Sequence, residues 1–235
     1  MTLDENLAEA HVSVGHAAMH EFDWQNAKME LGRALDLNPN SFSARYYHSN
    51  FLVLNGAGDQ AVREAEEARR LDPVSAAAIA NLSSILWHSG RSEESVASAK
   101  AALEIAPDNS RAYEDLGRAY EQLFRYDDAI AAFRKASGAP RIQASLAHTY
   151  ALTGKRDQTL KILRRLEKEA KRSFVSAYEF ALIFLGLGRK AELFAALDKA
   201  FEERSSALPF IKVNPRFAHV RRDRRFQKLL TRLGL

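Results

Sequence analysis

The sequence predicts an all-α fold, a solenoid of about six stacked helix pairs followed by a short helical cap. Three prolines, Pro39, Pro73 and Pro107, recur at intervals of 34 residues, and each is the last residue of a similar short motif (ALDLNP, ARRLDP and ALEIAP). Small residues recur at fixed positions within each interval. The chain contains 11 Gly and 6 Pro but 39 Ala among 235 residues, and this composition favours helix over strand.

The composition also excludes several classes of protein. The chain has no Cys, which rules out a disulfide scaffold, a thiolate metal site and a cysteine nucleophile. No run of 18 apolar residues occurs, so we expect no segment that spans a membrane. The N-terminal sequence MTLDENLAEAHVSV is acidic and lacks the pattern of a signal peptide. We therefore expect a cytoplasmic protein.

The 34-residue period divides most of the chain into six blocks, of which the last three are shorter or less regular. The blocks are 8–41, 42–75, 76–109, 110–139, 140–173 and 174–204. Their eighth positions hold Gly15, Ser49, Ser83, Gly117, Ala147 and Ala181, and the twentieth positions of the first four hold Ala27, Ala61, Ser95 and Ala129. Small residues at both positions predict two antiparallel helices that approach closely there.

Each block then yields two helices. A Gly at the fifteenth position (Gly56, Gly90, Gly154, Gly188) is typical of a helix end that needs a positive φ, and the proline ends the second helix. First helices are predicted at 6–20, 42–55, 76–89, 110–123, 140–153 and 174–187. Second helices are predicted at 24–37, 59–71, 92–105, 126–138, 156–171 and 190–203. The solenoid is thus expected over residues 1–204.

Residues 205–235 fall outside the period and are expected to form a basic cap. Apolar residues from Phe217 to Leu233 are spaced for one or two short helices that cover the open end of the solenoid. The chain's net charge is +4, but residues 211–235 carry eight basic residues and one acidic residue, which leaves −3 for residues 1–210. These arginines could meet phosphates or an acidic partner, or they could form a solvated face, and binding of nucleic acid is not expected.

The repeat positions resemble those of the tetratricopeptide repeat. The resemblance covers about residues 6–204 and is strongest in the first four blocks. It implies a right-handed solenoid whose first helices line a concave groove. The phrases NPRF at 214–217, DRRF at 223–226 and EFDWQNA at 21–27 are similar to arrays that follow effector domains in bacterial signalling proteins, such as CadC-like winged-helix regulators, Ser/Thr kinases and adenylate cyclases. Under this resemblance the chain is either a stand-alone relative or a fragment of a longer one.

No catalytic motif is present in the sequence. It contains no nucleophile elbow, Walker loop or G-x-G-x-x-G sequence, so we expect no enzyme and no cofactor. His16 and His20 have the i, i+4 spacing of metal ligands, but no third ligand accompanies them. They are therefore expected to be groove or surface histidines, and no metal site is predicted.

Binding in the groove is the function that the resemblance implies. The family's groove positions match residues that are aromatic, polar or charged: His16, His20, Tyr46, Asn50, Asn81, Trp87, His88, Arg111, Glu114 and Arg118. Tyr, Trp and Arg are enriched at binding hot spots. For Trp87 and Tyr46, packing between repeats remains the alternative. A carboxylate clamp known in some relatives matches Asn50, Asn81 and Arg111, but Tyr46 and Asp115 depart from it.

We therefore interpret the chain as a non-catalytic scaffold that binds a partner peptide or helix in the concave groove, in bacterial signalling or regulation. The alternative is a regulatory or sensory module that binds a small ligand or self-associates, for instance as a homodimer, to control an effector domain.

Overall fold

Antiparallel helix pairs make up most of the computed structural model, which describes residues 7–235; the beginning of the acidic N-terminal stretch lies outside the described residues. The pairs are α1 (Ala8–Glu21) with α2 (Trp24–Leu37), α3 (Phe42–Leu54) with α4 (Gly58–Leu71), α5 (Ala76–His88) with α6 (Ser92–Ile105), α7 (Ser110–Gln122) with α8 (Tyr126–Lys135), α9 (Pro140–Leu152) with α10 (Arg156–Glu169), and α11 (Ala177–Gly186) with α12 (Lys190–Glu202). No strand occurs in the described range. The all-α solenoid predicted from the sequence is confirmed.

The helices begin and end where the repeated residues dictate. Ser41, Ser75 and Asn109 stand 34 residues apart, and each side chain accepts a hydrogen bond from a backbone N–H in the first turn of α3, α5 or α7. The helices α2, α4 and α6 each end two residues before a proline of the period. Two predicted helices are shorter than expected, since α8 ends at Lys135 and α11 begins at Ala177.

Small residues lie where the paired helices touch, as the sequence predicts. A Cβ added to Gly15 would lie 2.7 Å from Leu31 Cγ, and one added to Gly117 would lie 2.6 Å from Phe133 Cε1. In the third pair, Ser83 and Ser95 fill the same positions and each donates its hydroxyl to the other's backbone carbonyl at 2.8 Å. The close approach of each pair therefore depends on the absence of larger side chains.

The fifteenth position of all six repeats has a positive φ. Gly56, Gly90, Gly154 and Gly188 adopt it at values from 69° to 85°, as the sequence predicts. In the first and fourth repeats the same turn is made by Phe22 and Phe124, with φ of 63° and 60°. A non-glycine residue is strained in this region, so the fold imposes the turn even where the sequence does not favour it.

The first helices of successive pairs form the inner layer of the solenoid, and the second helices form the outer layer. Each of α1, α3, α5, α7 and α9 contacts the next first helix in the chain. This arrangement places the side chains of six first helices around a common centre.

The C-terminal segment lies partly on the inner face. It comprises the 3-10 turns Leu208–Phe210 and Pro215–Val220 and the helix α13 (Arg224–Leu233). Leu208, Ile211 and Phe217 are fully buried, and Phe210 packs against core residues of the first three repeats. The sequence predicts a cap over the open end of the solenoid, but part of this segment lies on the inner face instead. Hydrophobic spacing shows that one face of a segment is buried but not which surface covers that face.

The two ends of the solenoid meet. The rings of Phe22 and Phe201 stack with centroids 5.7 Å apart, and the indole N–H of Trp24 donates to the carbonyl of Leu233 at 2.6 Å. The first repeat therefore packs against α12 and α13, and the inner face surrounds a central space.

Candidate binding pocket on the inner face

A cavity of about 420 Å³ occupies this central space. Side chains from all six first helices line it, together with residues 205–216 of the C-terminal segment. Its volume falls within the range of small-ligand sites, which is about 300–1,000 Å³. We refer to this cavity as the central pocket.

Eight of the ten candidate residues line the central pocket: His16, His20, Tyr46, Asn50, Trp87, His88, Arg111 and Arg118. Asn81 and Glu114 do not line it. Asn81 is buried and bridges Asn50 and Ser49 through hydrogen bonds of 3.1 Å each. Glu114 is fully buried and accepts contacts from Arg118 and Arg141. The two residues support the wall of the pocket from behind.

Trp87 packs within the protein. Its side chain is only 2% exposed, and the guanidinium groups of Arg118 and Arg216 lie 5.5 Å and 5.8 Å from its ring centroid. Of the two alternatives that the sequence leaves open for this residue, the structure favours the core. Tyr46 is less buried, and burial raises the pKa of its phenol.

The basic side of the pocket is built around α7. Arg111 donates its Nε to Asp115 at 2.9 Å and its Nη2 to Ser84 at 3.2 Å, and its side chain stays 45% exposed. Arg141 reaches the same region from α9 and is 43% exposed. Asp115 is therefore neutralised by Arg111 and by Arg118. Asp115 is one of the two residues that depart from the carboxylate clamp, and its charge is balanced within the protein.

The aromatic side of the pocket lies on α1, α3 and α5. The rings of His16 and Tyr47 lie 4.2 Å apart, and His16 Nε2 is 3.0 Å from His20 Nε2. Burial and the neighbouring His20 lower the pKa of His16, which favours neutral imidazole. His88 donates Nδ1–H to the carbonyl of Ser84 at 2.9 Å, and burial followed by the charge of Arg118 lowers its pKa to about 3.

The last repeat adds a carboxyl group to the pocket. Burial raises the pKa of Glu179 to about 7, although Arg118 and Arg141 work in the opposite direction. The neighbouring Tyr178 accepts a hydrogen bond from Asn214 at 3.0 Å, and burial raises its pKa to about 12. Among the residues that line the pocket, Glu179 is thus a carboxyl group that holds its proton to a higher pH than an exposed carboxyl group does.

A buried ion pair holds the C-terminal segment against the repeats. Arg216 donates Nε to Glu121 Oε1 at 2.6 Å, Nη2 to Glu121 Oε2 at 3.2 Å and Nη1 to Ser145 at 3.1 Å. Burial works to raise the pKa of Glu121, but Arg216 and His148 outweigh it and the pKa lies well below its ordinary value. Glu121 and Arg216 therefore face each other as charged groups.

Several residues that line the pocket are not predicted from the sequence. Arg141 occupies the second position of the fifth block, as Arg111 does in the fourth, so the same rule extended by one repeat would find it. Phe210 and Arg216 belong to the segment outside the period, and no repeat position points to them. Among residues 7–235, no cluster of three or more His, Asp or Glu side chains could hold a metal ion.

Comparison with known proteins supports the repeat. Residues 75–142 match the tetratricopeptide repeat family. Small glutamine-rich tetratricopeptide repeat-containing protein 2 of Mycosarcoma maydis is 32% identical over 124 residues, which cover 51% of this chain and 35% of that protein. The chain therefore matches about a third of the length of this curated relative. No helix in the described part of the chain is long and apolar enough to cross a membrane.

Solved structures share the fold over about three quarters of the chain or more. PilF of Pseudomonas aeruginosa has a TM-score of 0.58 at 19% identity, covering 96% of this chain and 97% of its own. A tetratricopeptide repeat protein from Parabacteroides merdae has a TM-score of 0.56 at 17% identity, covering 97% and 92%. MamA has a TM-score of 0.53 at 22% identity, covering 72% and 96%. At these identities the likeness concerns the fold alone.

Proposed function

We propose that this chain is a non-catalytic interaction scaffold that holds a short acidic segment of a partner protein in the central pocket. A solenoid of tetratricopeptide type presents its first helices as an interaction surface, which suits a scaffold. The observation that carries the proposal is the basic side of the pocket. There the side chains of Arg111 and Arg141 remain more than two-fifths exposed, although each pairs with a carboxylate of the protein.

The size of the pocket favours a short extended segment over a helix. The C-terminal segment already fills part of the inner face, and about 420 Å³ remains. A helix long enough to bind with useful affinity would need more room, so the occupant is a few residues in extended form.

The charges of the pocket favour an acidic occupant. Arg111 uses Nε and Nη2 within the protein, and its Nη1 has no acceptor among residues 7–235. Charge-assisted hydrogen bonds from a guanidinium to a carboxylate are the strongest that a side chain can offer here. Glu179 would repel an acidic ligand when ionised, but its raised pKa keeps it partly protonated near neutral pH.

Selection from a phage-displayed library of short random peptides tests the proposal. We expect the selected peptides to contain Asp or Glu, and Arg111→Gln to weaken their binding about tenfold or more, as the loss of a charged hydrogen bond predicts. Arg63→Gln is the matched control, because Arg63 is exposed on α4 and does not line the pocket. Peptides without acidic residues, or equal affinity of wild type and Arg111→Gln, would contradict the proposal.

A small anionic ligand is the second candidate, because the cavity volume lies in the small-ligand range. Thermal shift measurements with phosphate and with citrate address it. A rise in melting temperature that Arg111→Gln abolishes, together with failure to select any peptide, would favour a sensory module over a scaffold.

The biological setting is proposed from the resemblance alone. The phrases at 214–217 and 223–226 suggest bacterial signalling or regulation in the cytoplasm, with an effector on the same or another chain. Self-association is compatible with this setting, and light scattering of the purified chain distinguishes a homodimer from a monomer.

A further inference from the structure

The outer face of α10 carries a stripe of basic side chains. Lys161, Arg164, Arg165 and Lys168 follow the i, i+3, i+4, i+7 spacing that places residues on one face of a helix, and all four are exposed. The opposite face of α10 is buried through Thr159, Leu163 and Leu166. The stripe therefore points directly away from the body of the solenoid.

None of the four side chains of this stripe has an ion-pair partner in the described part of the chain. Some exposed arginines on the outer layer do have one, as Arg70 on α4 does with Glu67 at 2.8 Å. Unpaired cations on a single face create a local positive potential that attracts an anionic surface.

An exposed aromatic side chain stands at the end of the stripe. The backbone N–H groups of Arg172 and Ser173 donate to the carbonyl of Glu169 at 2.8 Å and 2.9 Å, so the chain stays at the C-terminal end of α10. Lys171 and Arg172 extend the basic surface there, and Phe174 follows with 76% of its area exposed. A large apolar side chain beside six cations is typical of surfaces that lie on membranes.

The described part of the chain offers no acidic surface that would match this basic stripe. Residues 155–235 hold 20 basic and 9 acidic residues and residues 1–154 hold 14 and 21, so the two parts have opposite net charge. The acidic side chains of the first part are interleaved with basic ones, as on α4, where Glu66 and Glu67 alternate with Arg63, Arg69 and Arg70. No described helix bears four acidic residues at the spacing of the stripe.

We propose that the outer face of α10, with Lys171, Arg172 and Phe174, docks on a membrane surface that contains anionic lipids. Each Lys or Arg gains attraction at such a surface, and Phe174 enters the boundary between headgroups and acyl chains. Nucleic acid is the less favoured partner, because binding of single strands uses several aromatic side chains along a groove and this convex face has one. The central pocket stays free in the docked state, since α10 does not line it.

Sedimentation of the full chain with phospholipid vesicles tests this proposal. We expect binding to vesicles of phosphatidylcholine with phosphatidylserine, and little binding to phosphatidylcholine alone. Lys161→Glu with Arg164→Glu should weaken binding more than about 10-fold, on the basis of the attraction per cation. Phe174→Ala should weaken it by about 10-fold, because the ring loses its insertion.

A control with equal charge change separates the stripe from net charge. Lys28→Glu with Arg33→Glu alters two exposed cations on α2 that form no ion pair among residues 7–235, and circular dichroism verifies that both double variants are folded. Retained binding by this control supports the proposal. The proposal is overturned if no vesicle binding occurs, or if the control loses binding as strongly as the stripe variant. It is also overturned if Phe174→Ala binds like wild type, or if the chain binds a DNA duplex more tightly than the anionic vesicles.

Discussion

The ion pair between Arg216 and Glu121 leads to the most informative stability experiment. We propose to replace Arg216 by Met, which keeps an unbranched apolar chain and removes the guanidinium. The two side chains are 4% and 5% exposed and are joined by two hydrogen bonds, so the variant leaves the Glu121 carboxylate buried without its main cationic partner.

The expected loss is worked from that burial. Breaking a buried ion pair by removing one partner costs about 3–5 kcal/mol, and for a chain of this size each kcal/mol corresponds to about 2–4 °C in melting temperature. Arg216→Met should therefore lower the melting temperature by about 10 °C. The double variant with Glu121→Gln should recover much of this loss, because it removes the uncompensated charge.

Urea unfolding followed by circular dichroism, together with calorimetry, measures both effects. Arg222→Met is the matched control, since Arg222 lies in the same segment but is exposed, and we expect it to change stability by less than about 0.5 kcal/mol. A loss of 1 kcal/mol or less in Arg216→Met would refute the reasoning, because the C-terminal segment would then not be anchored to α7 through this pair.

Three further predictions concern the turns, the helix contacts and the pocket. Phe124→Gly should stabilise the protein by about 1 kcal/mol in urea unfolding, because it relieves a φ of 60° at a side chain that is 74% exposed; a loss would show that the ring packs usefully. Gly117→Ala should lower the free energy of unfolding by about 1–3 kcal/mol, because the new Cβ meets the Phe133 ring. Gly32→Ala is the control and should be neutral or stabilising, because a Cβ at Gly32 has no neighbour within 4 Å among the described residues beyond its chain neighbours and its own helix backbone. Equal effects of the two substitutions would argue against the close helix contact. Glu179 keeps its proton up to about pH 7 in the folded state but only to 4.5 when unfolded, so its contribution to stability falls as pH rises between these values. Glu179→Gln should therefore gain about 3 kcal/mol on wild type between about pH 4 and about pH 8, and a pH-independent difference would contradict the raised pKa.

The fold could be predicted from the sequence because each repeated residue acts locally. A proline ends its own helix, a Gly at the fifteenth position permits its own turn, and a small residue such as Gly117 permits contact with the adjacent helix. The helix ends near Lys135 and Ala177 were less predictable, because the fourth and sixth repeats depart from the period there.

The pocket could be predicted only in part. Positions on the first helices place His16, Tyr46 and Arg111 on the inner face, where they line the central pocket, since every repeat presents the same face inward. The path of the C-terminal segment depends on contacts far apart in the chain, such as the 95-residue separation of Arg216 and Glu121. The contact of Arg216 with the Trp87 ring follows from that path, so sequence positions alone could not decide the role of Trp87.

Photo-cross-linking of a selected acidic peptide tests most directly whether the inner face is the binding site. A benzophenone on the peptide reacts readily with methionine, and the described chain offers Met19, which lines the central pocket, and Met29, which is 62% exposed on the outer helix α2. We predict that mass spectrometry finds the cross-link at Met19 or its pocket neighbours. Cross-links confined to Met29 and other residues of the outer helices would contradict binding in the central pocket.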